Sequence, residues 1–214
     1  MNELSQLKII EFFNNYTLSK YSAKEIIYSP EEKIDHVAFV KTGYVRIYNH
    51  DLSGKEITYS GFKPVFYMSY LFAYKNIPNQ YYFQALTELE VWKAPLVDFK
   101  KFLSNNSNVA TDMVEIILDS FHEVLLSWEN SLSGDAYFRI GKLLLTLSKD
   151  YGKKENNGST IDFHTTHQLI ASMLGITRET ASIQIKKLEN NGLITQKTNT
   201  IIINDMDKMT KTFL

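Results

Sequence analysis

The stretch HTTHQLIASMLGITRETASIQIKKLENNGLITQKTNTIII, residues 164–203, decides how this chain is read. Thr165 or Thr166 can cap a short helix over His167 to Leu174, because a threonine hydroxyl accepts a bond from a first-turn N–H. Leu169, Ile170, Met173 and Leu174 give that helix an apolar face. Gly175 falls where a tight inter-helix turn needs a positive φ, and Ile176 plugs the corner. Thr177 can cap a second helix, with Glu179 and Thr180 in its first turn. That helix buries Ala181, Ile185 and Leu188 and ends at Asn190-Asn191-Gly192. Short helix, glycine turn and longer helix make a helix-turn-helix by spacing. Leu193–Thr195, a polar turn at 196–199 and Thr200–Ile203 then form a β-hairpin, which makes the unit a winged helix.

The chemistry of its outward face points to double-stranded DNA. The N-terminal turn of the second helix projects Arg178, Glu179, Ser182 and Gln184. Arginine pairs bidentately with guanine, and glutamate accepts from cytosine N4. Thr166, Thr177, Thr180, Lys186 and Lys187, with the N–H groups of the helix starts, can donate to phosphates. The competing reading is a ligand-binding module that regulates a protein partner through its winged helix; Arg178 and Glu179 argue against it.

Upstream, a helix from Ala136 to about Tyr151-Gly152 carries Phe138, Ile140, Leu143, Leu144, Leu145 and Leu147, and Lys153–Ser159 reads as a polar loop. The domain boundary falls at Ser131–Gly134, where small polar residues interrupt the helical pattern. Before it, Ser107 or Asn108 can cap a long helix reaching about Ser131, roughly 36 Å at 1.5 Å per residue. Val109, Met113, Ile116, Ile117, Phe121, Val124, Leu125 and Trp128 run along it, and Val114, Leu118 and Leu126 add apolar surface elsewhere. A flanking helix needs one apolar stripe. Two stripes imply two partners, its own domain and a second copy of the chain; burial within one chain is the alternative.

The first hundred residues change character. Leu4, Leu7, Ile10, Phe13 and Tyr16 predict one or two short helices over 4–20. Short β-branched and aromatic segments follow at Glu25–Tyr28, His36–Lys41, Tyr44–Asn49, Ile57–Phe62, Tyr81–Ala85 and Leu89–Trp92, with turns at Thr42-Gly43 and Leu52–Lys55. They suggest a sandwich or small barrel. A short helix over Pro95–Leu103 closes this part.

Composition bounds the rest. The 214 residues are 44% hydrophobic and 22% charged, an ordinary globular range that permits one large or two modest domains. With no cysteine, the chain lacks disulfides, iron–sulfur ligands, Cys-type zinc sites and a catalytic thiol. Net charge is −1, but residues 1–134 carry 12 Lys+Arg against 16 Asp+Glu, whereas 135–214 carry 11 against 8. The balance of −4 against +3 fits a C-terminal part that meets a polyanion, or an accident of sampling. Glu3 and Glu11 interrupt the N-terminus, so no signal peptide is read, and no apolar run has membrane-spanning length. A cytoplasmic protein with no membrane partner is expected. Asp162, His164 and His167 come without a nucleophile motif, phosphate loop or metal spacing, so neither enzymatic activity, nor a metal site, nor a cofactor is expected.

Gly175-Ile-Thr-Arg-Glu-Thr-Ala-Ser182 followed by Lys187-Leu-Glu-Asn-Asn-Gly-Leu-Ile194 closely resembles the DNA-binding motif of Crp/Fnr transcription regulators, and the resemblance extends over nearly the whole chain. It implies an α+β chain: a cyclic-nucleotide-binding-like β-roll (a double-stranded β-helix) over 1–106, a dimerisation helix and hinge over 107–133, and a winged helix-turn-helix over 134–214. It also implies a homodimer on a two-fold operator, with RNA polymerase as a further partner. Arg178 and Glu179 would read bases with Ser182 in support, and Thr166, His167 and Gln168 fall where the family contacts phosphate. The chain departs from the family at Ile183, where many members carry a second arginine. Isoleucine can contact a thymine methyl but cannot hydrogen-bond a base edge.

Cyclic-nucleotide-binding members hold the ribose and cyclic phosphate with a Gly-Glu-Leu-Gly run and a later Arg-Ser/Thr-Ala. Here the matching stretches read Tyr67–Phe72 and Asn79–Tyr82, and no arginine lies between Arg46 and Arg139. Cyclic AMP is therefore not the expected effector. His36, His50 and His122 read as surface or core residues rather than haem ligands. Phe66, Tyr67, Met68, Tyr70 and Tyr82 remain as candidates to line a site for a non-nucleotide small-molecule effector, or else they fill the roll and there is no effector.

Overall fold

In the computed structural model, residues 2–62, 64, 66–132, 134–155, 157–198 and 200–214 are described, with backbone alone for 60, 62, 127 and 130–132. The chain divides into two compact units, residues 1–49 with 60–125 and residues 50–59 with 126–214.

The first unit begins with α1 (Glu3–Phe13), whose N-cap Asn2 accepts the Ser5 N–H. The expected helical run does not continue to residue 20. Asn14 and Asn15 end α1, and Thr17–Tyr21 form strand β1, paired antiparallel with Leu89–Lys93 of β8 (Leu89–Pro95). The other strands are β2 (Ile26–Tyr28), β3 (His36–Thr42), β4 (Val45–His50), β5 (Glu56–Phe62), β6 (Phe66–Tyr67) and β7 (Tyr82–Ala85). They form two four-stranded sheets, in the orders β1-β8-β3-β6 and β2-β7-β4-β5. This is the expected roll, with β6 and a short helix α2 (Tyr70–Lys75) added.

Strand geometry sends alternate side chains to opposite faces, and β3 is buried on both. Ala38 and Val40 join Tyr28, Val45, Met68, Phe72, Phe83 and Val91 in the interior cluster. Val37 and Phe39 join Ile9, Phe13, Trp92 and Phe99 in a second cluster that seats α1, α3 (Leu96–Asn105) and the start of α4 (Ser107–Leu132). Phe13 stacks on Phe39 with ring centroids 5.0 Å apart. Such pairs add about 0.5–1.5 kcal/mol beyond area burial.

In the second unit, α5 (Ala136–Tyr151) is N-capped by Asp135, which accepts the Phe138 N–H. The expected polar loop after it is instead a hairpin, β9 (Gly152–Glu155) and β10 (Gly158–Ile161). Its polar sequence hides a strand because β10 is held by backbone pairing to β12 (Thr200–Ile203), far along the chain. With β11 (Ile194–Lys197) the sheet order is β11-β12-β10-β9. The helix-turn-helix lies as expected in α6 (His167–Leu174) and α7 (Arg178–Asn190). A terminal helix, α8 (Met206–Phe213), was not expected; Asp205 caps it and Met209 and Phe213 are buried. No helix among the described residues is long and apolar enough to cross a membrane.

Candidate nucleic-acid interface

Backbone chemistry sets the two helix starts. Thr166 accepts the Leu169 N–H and Thr177 the Thr180 N–H, each at 3.1 Å. Gly175 closes α6 with φ 64° and ψ 23°, the left-handed conformation that glycine adopts without steric cost. The Arg139 guanidinium of α5 donates to the Leu174 carbonyl at the C-terminal end of α6, where a cation also meets the negative end of the helix dipole. Leu169, Ile170, Leu174, Ala181, Ile185 and Leu188 are buried, which fixes the outward face of α7 by elimination.

That face holds Arg178 and Glu179, both exposed. Among the described residues neither side chain has a hydrogen-bond or ion-pair partner, so both are available to an external ligand. Ile183, one turn on, is 65% exposed. Gln168 is exposed at the start of α6, and Gln184 is half-buried. Lys186 pairs with Glu189 at 2.8 Å, and Lys187 places its ammonium 4.6 Å from the centre of the Tyr137 ring. Lys186 and then the Gln196 N–H hold the Glu189 carboxylate below its usual range. Thr180 is half-buried, its hydroxyl 3.0 Å from that of Thr177.

Two of the expected DNA contacts, His167 and Ser182, have partners inside the protein. The His167 ring has Nδ1 2.8 Å from Ser182 Oγ and Nε2 2.7 Å from Gln196 Oε1. Ser182 Oγ also donates to the Arg178 carbonyl. Both ring nitrogens of His167 and the hydroxyl of Ser182 are therefore engaged inside the protein. Sequence spacing gave no sign of this, since the partners lie 15 and 29 residues from His167. Lys197, at the end of β11 beside Gln196, is exposed and was not among the residues singled out in the sequence.

The helix expected to pair subunits divides in two. Val109 (0% exposed) and Met113 (4%) are buried in the second cluster of the roll, and Ile116 packs partly against it, so their apolar surface is used within the chain. Ile117, Phe121, Val124, Leu125 and Trp128 are exposed, as are Val114, Leu118 and Leu126.

The five ligand candidates do not converge. Tyr67 packs on Phe39 and Phe99, and Tyr70 on Phe99 and Tyr74, while Met68 lies in the interior cluster. Tyr82 stacks on Tyr48 at 5.1 Å, and Phe66 is half-buried on β6. Tyr67 and Met68 are successive residues, and successive side chains diverge into different clusters.

Two family models match this chain: the Crp-like helix-turn-helix domain over residues 138–212 and the cyclic nucleotide-binding domain over residues 18–106. The chain belongs to the Crp/Fnr family. Its relatives include the global nitrogen regulator of Synechococcus elongatus, 25% identical over 179 residues, which are 83% of this chain and 81% of that one. The cAMP-activated global transcriptional regulator CRP of Haemophilus influenzae is 24% identical over 194 residues, 90% of this chain and 86% of that one. Among solved structures, a CRP-family transcriptional regulator from Thermus thermophilus has a TM-score of 0.78 at 20% identity, covering 90% of this chain and 95% of its own. A CooA mutant from Carboxydothermus hydrogenoformans has a TM-score of 0.76 at 21% identity, covering 100% and 98%. This Crp/Fnr chain is thus a DNA-binding transcription regulator of the Crp type, in a family of regulators rather than enzymes.

Proposed function

We propose that this regulator binds a two-fold-symmetric operator as a homodimer, with α7 as the recognition helix in the major groove. The observation that carries the reading is the pair Arg178 and Glu179, exposed and unpartnered among the described residues in the first turn of a helix capped by Thr177. Arg178 reads guanine and Glu179 cytosine. Thr166, Gln168, Thr177, Thr180, Lys186 and Lys187 contact phosphates, and Gln184 lies at the edge of the base-reading face. Ile183 replaces a polar contact by an apolar one, so the half-site differs in part from that of family members with arginine there.

The subunits pair through the exposed apolar face of α4, centred on Ile117, Phe121, Val124 and Leu125. An uninterrupted apolar stripe of this length is costly to leave in water at about 25 cal/mol per Å², and a coiled second copy covers it. Pairing sets the two recognition helices about 34 Å apart, one helical turn of DNA. RNA polymerase is the further partner that transcriptional control needs. The reading leaves out cyclic AMP as the effector: no arginine lies between Arg46 and Arg139 to meet its phosphate, and the Asn79 amide is spent on Ser29 and Tyr81 backbone groups. The regulator works without an effector or with a non-nucleotide one.

Selection of bound duplexes from a random-sequence pool, with ligand-free protein at fixed moderate salt, tests the reading. An inverted repeat with half-sites about one turn apart is expected. Recovery of no motif together with capture of a protein partner through α7 would overturn it. Sedimentation of Phe121→Asp tests the pairing: the wild type sediments as a dimer and the variant as a monomer, whereas an unchanged dimer would move the interface off α4.

A further inference from the structure

Five polar side chains from three elements form one connected chain beside the recognition helix. Ser182, in the middle of α7, meets His167 Nδ1 at 2.8 Å. His167, the first residue of α6, meets Gln196 on the wing strand β11 through Nε2 at 2.7 Å. Gln196 then donates twice to Glu189 near the end of α7, from its backbone N to Oε1 and from Nε2 to Oε2, both at 3.1 Å. Lys186 closes the chain on Glu189 Oε2 at 2.8 Å.

The donors and acceptors fix the sense of this chain. An ionised carboxylate only accepts. The Gln196 amide must therefore turn its NH2 to Glu189 and its oxygen to His167, and His167 Nε2 must carry a proton to donate. Ser182 Oγ, on the other side of the ring, also lies 2.9 Å from the Arg178 carbonyl, and its single hydroxyl hydrogen serves that carbonyl or Nδ1, one at a time. Arg178 is the exposed first residue of α7. One imidazole thus links the backbone of the base-reading turn to the wing.

We propose that His167 is a positioning residue for DNA recognition: it ties β11 to the middle of α7, so that wing and recognition helix present their side chains in one fixed geometry, and its ring makes no phosphate contact. The proposal rests on the reading of α7 as the recognition helix. It assigns to the His167 ring a role different from the phosphate contact that the family resemblance implies, and leaves to its backbone N–H any contact at the start of α6.

The test uses the full chain as wild type, His167→Ala, Gln196→Ala and the double variant, each checked for fold by circular dichroism. Hydrogen exchange is followed first, without DNA. Removing His167 is expected to speed exchange across 194–203, Gln196→Ala to do the same, and the double variant to add little to either single, as residues of one network do. Unchanged exchange of β11 in His167→Ala overturns the proposal. Anisotropy titrations on the selected inverted-repeat duplex and a scrambled duplex, across a salt series, are the second measurement. For a positioning residue the ratio of the two affinities falls about tenfold, equivalent to 1.4 kcal/mol, and the slope of log affinity against log salt stays. For a ring in charge contact with phosphate the slope drops by about 0.9 per contact and the ratio stays, which also overturns it. A wild type that fails to tell the duplexes apart sinks the DNA-reading function instead, while the exchange data still decide the clamp.

Discussion

A Cβ added to Gly141 on α5 would lie 2.5 Å from the ring of Phe213 on α8. The C-terminal helix is thus seated in a notch that only glycine leaves open, on the helix that also supports α6 through Arg139. Gly141→Ala sets helix propensity, worth up to about 1 kcal/mol in its favour, against a clash with a buried ring. Overpacking of this kind costs about 1–3 kcal/mol. The variant should unfold at lower urea than the wild type, and Phe213→Ala in the same background should relieve part of the loss. A variant at least as stable as the wild type would show that α8 yields freely.

Arg178→Ala and Lys187→Ala should fail in different ways. Loss of Arg178 removes about 1–3 kcal/mol of discrimination at one base position and flattens the selected motif there. Loss of Lys187, whose ammonium lies over Tyr137, weakens binding to all sequences and lowers the salt slope. Titrations on matched and single-mismatch duplexes separate the two patterns. If both variants bind every duplex as the wild type does, α7 is not the recognition helix.

Ile183→Arg supplies the guanidinium that many family members carry at this position. Because Ile183 is 65% exposed, the longer side chain enters without repacking. Repeated selection should show a new guanine preference at one position of each half-site, worth about 1–3 kcal/mol. An unchanged motif would place Ile183 away from the base edges.

Acidification should weaken the first unit before its carboxylates titrate. His36 Nε2 lies 2.6 Å from the Tyr28 hydroxyl, which donates to it, and Nδ1 lies 3.2 Å from Asp35. Burial lowers the His36 pKa below 6.5 against the opposing pull of Asp35, and burial pushes the Tyr28 phenol well above its usual range. The folded state thus favours neutral imidazole. The unfolded chain binds the proton more readily, so stability is full above about pH 6.5 and falls as pH drops from there through the folded-state value. Urea midpoints between pH 8 and 5 should decline for the wild type and stay flatter for His36→Asn. Parallel curves would remove His36 as the cause.

Much of the DNA-binding half is legible along the chain because its contacts are local. A helix satisfies its hydrogen bonds four residues away, so capping threonines, a glycine at φ 64° and an apolar period were enough to place α6, the turn and α7. The outward face followed once Ala181, Ile185 and Leu188 were assigned inward. Strands were harder. Their partners are distant, so residues 17–20 read as helix although they pair with β8, and Lys153–Ser159 reads as loop although it holds most of the paired strands β9 and β10.

By itself, then, the sequence determined the helix-turn-helix, its base-reading candidates, the alternation that builds the roll and the chemistry that argues against a cyclic-nucleotide phosphate. Tertiary structure decided which apolar residues of α4 are consumed at home, sending Val109 and Met113 into the roll's second cluster and leaving Phe121 outside. It split Tyr67 and Met68 between different clusters, and it set the His167 ring between Ser182 and Gln196. The physical reason is common to all three. A residue type limits what a side chain can bond or bury, but which partner it meets depends on chain segments brought together only by folding.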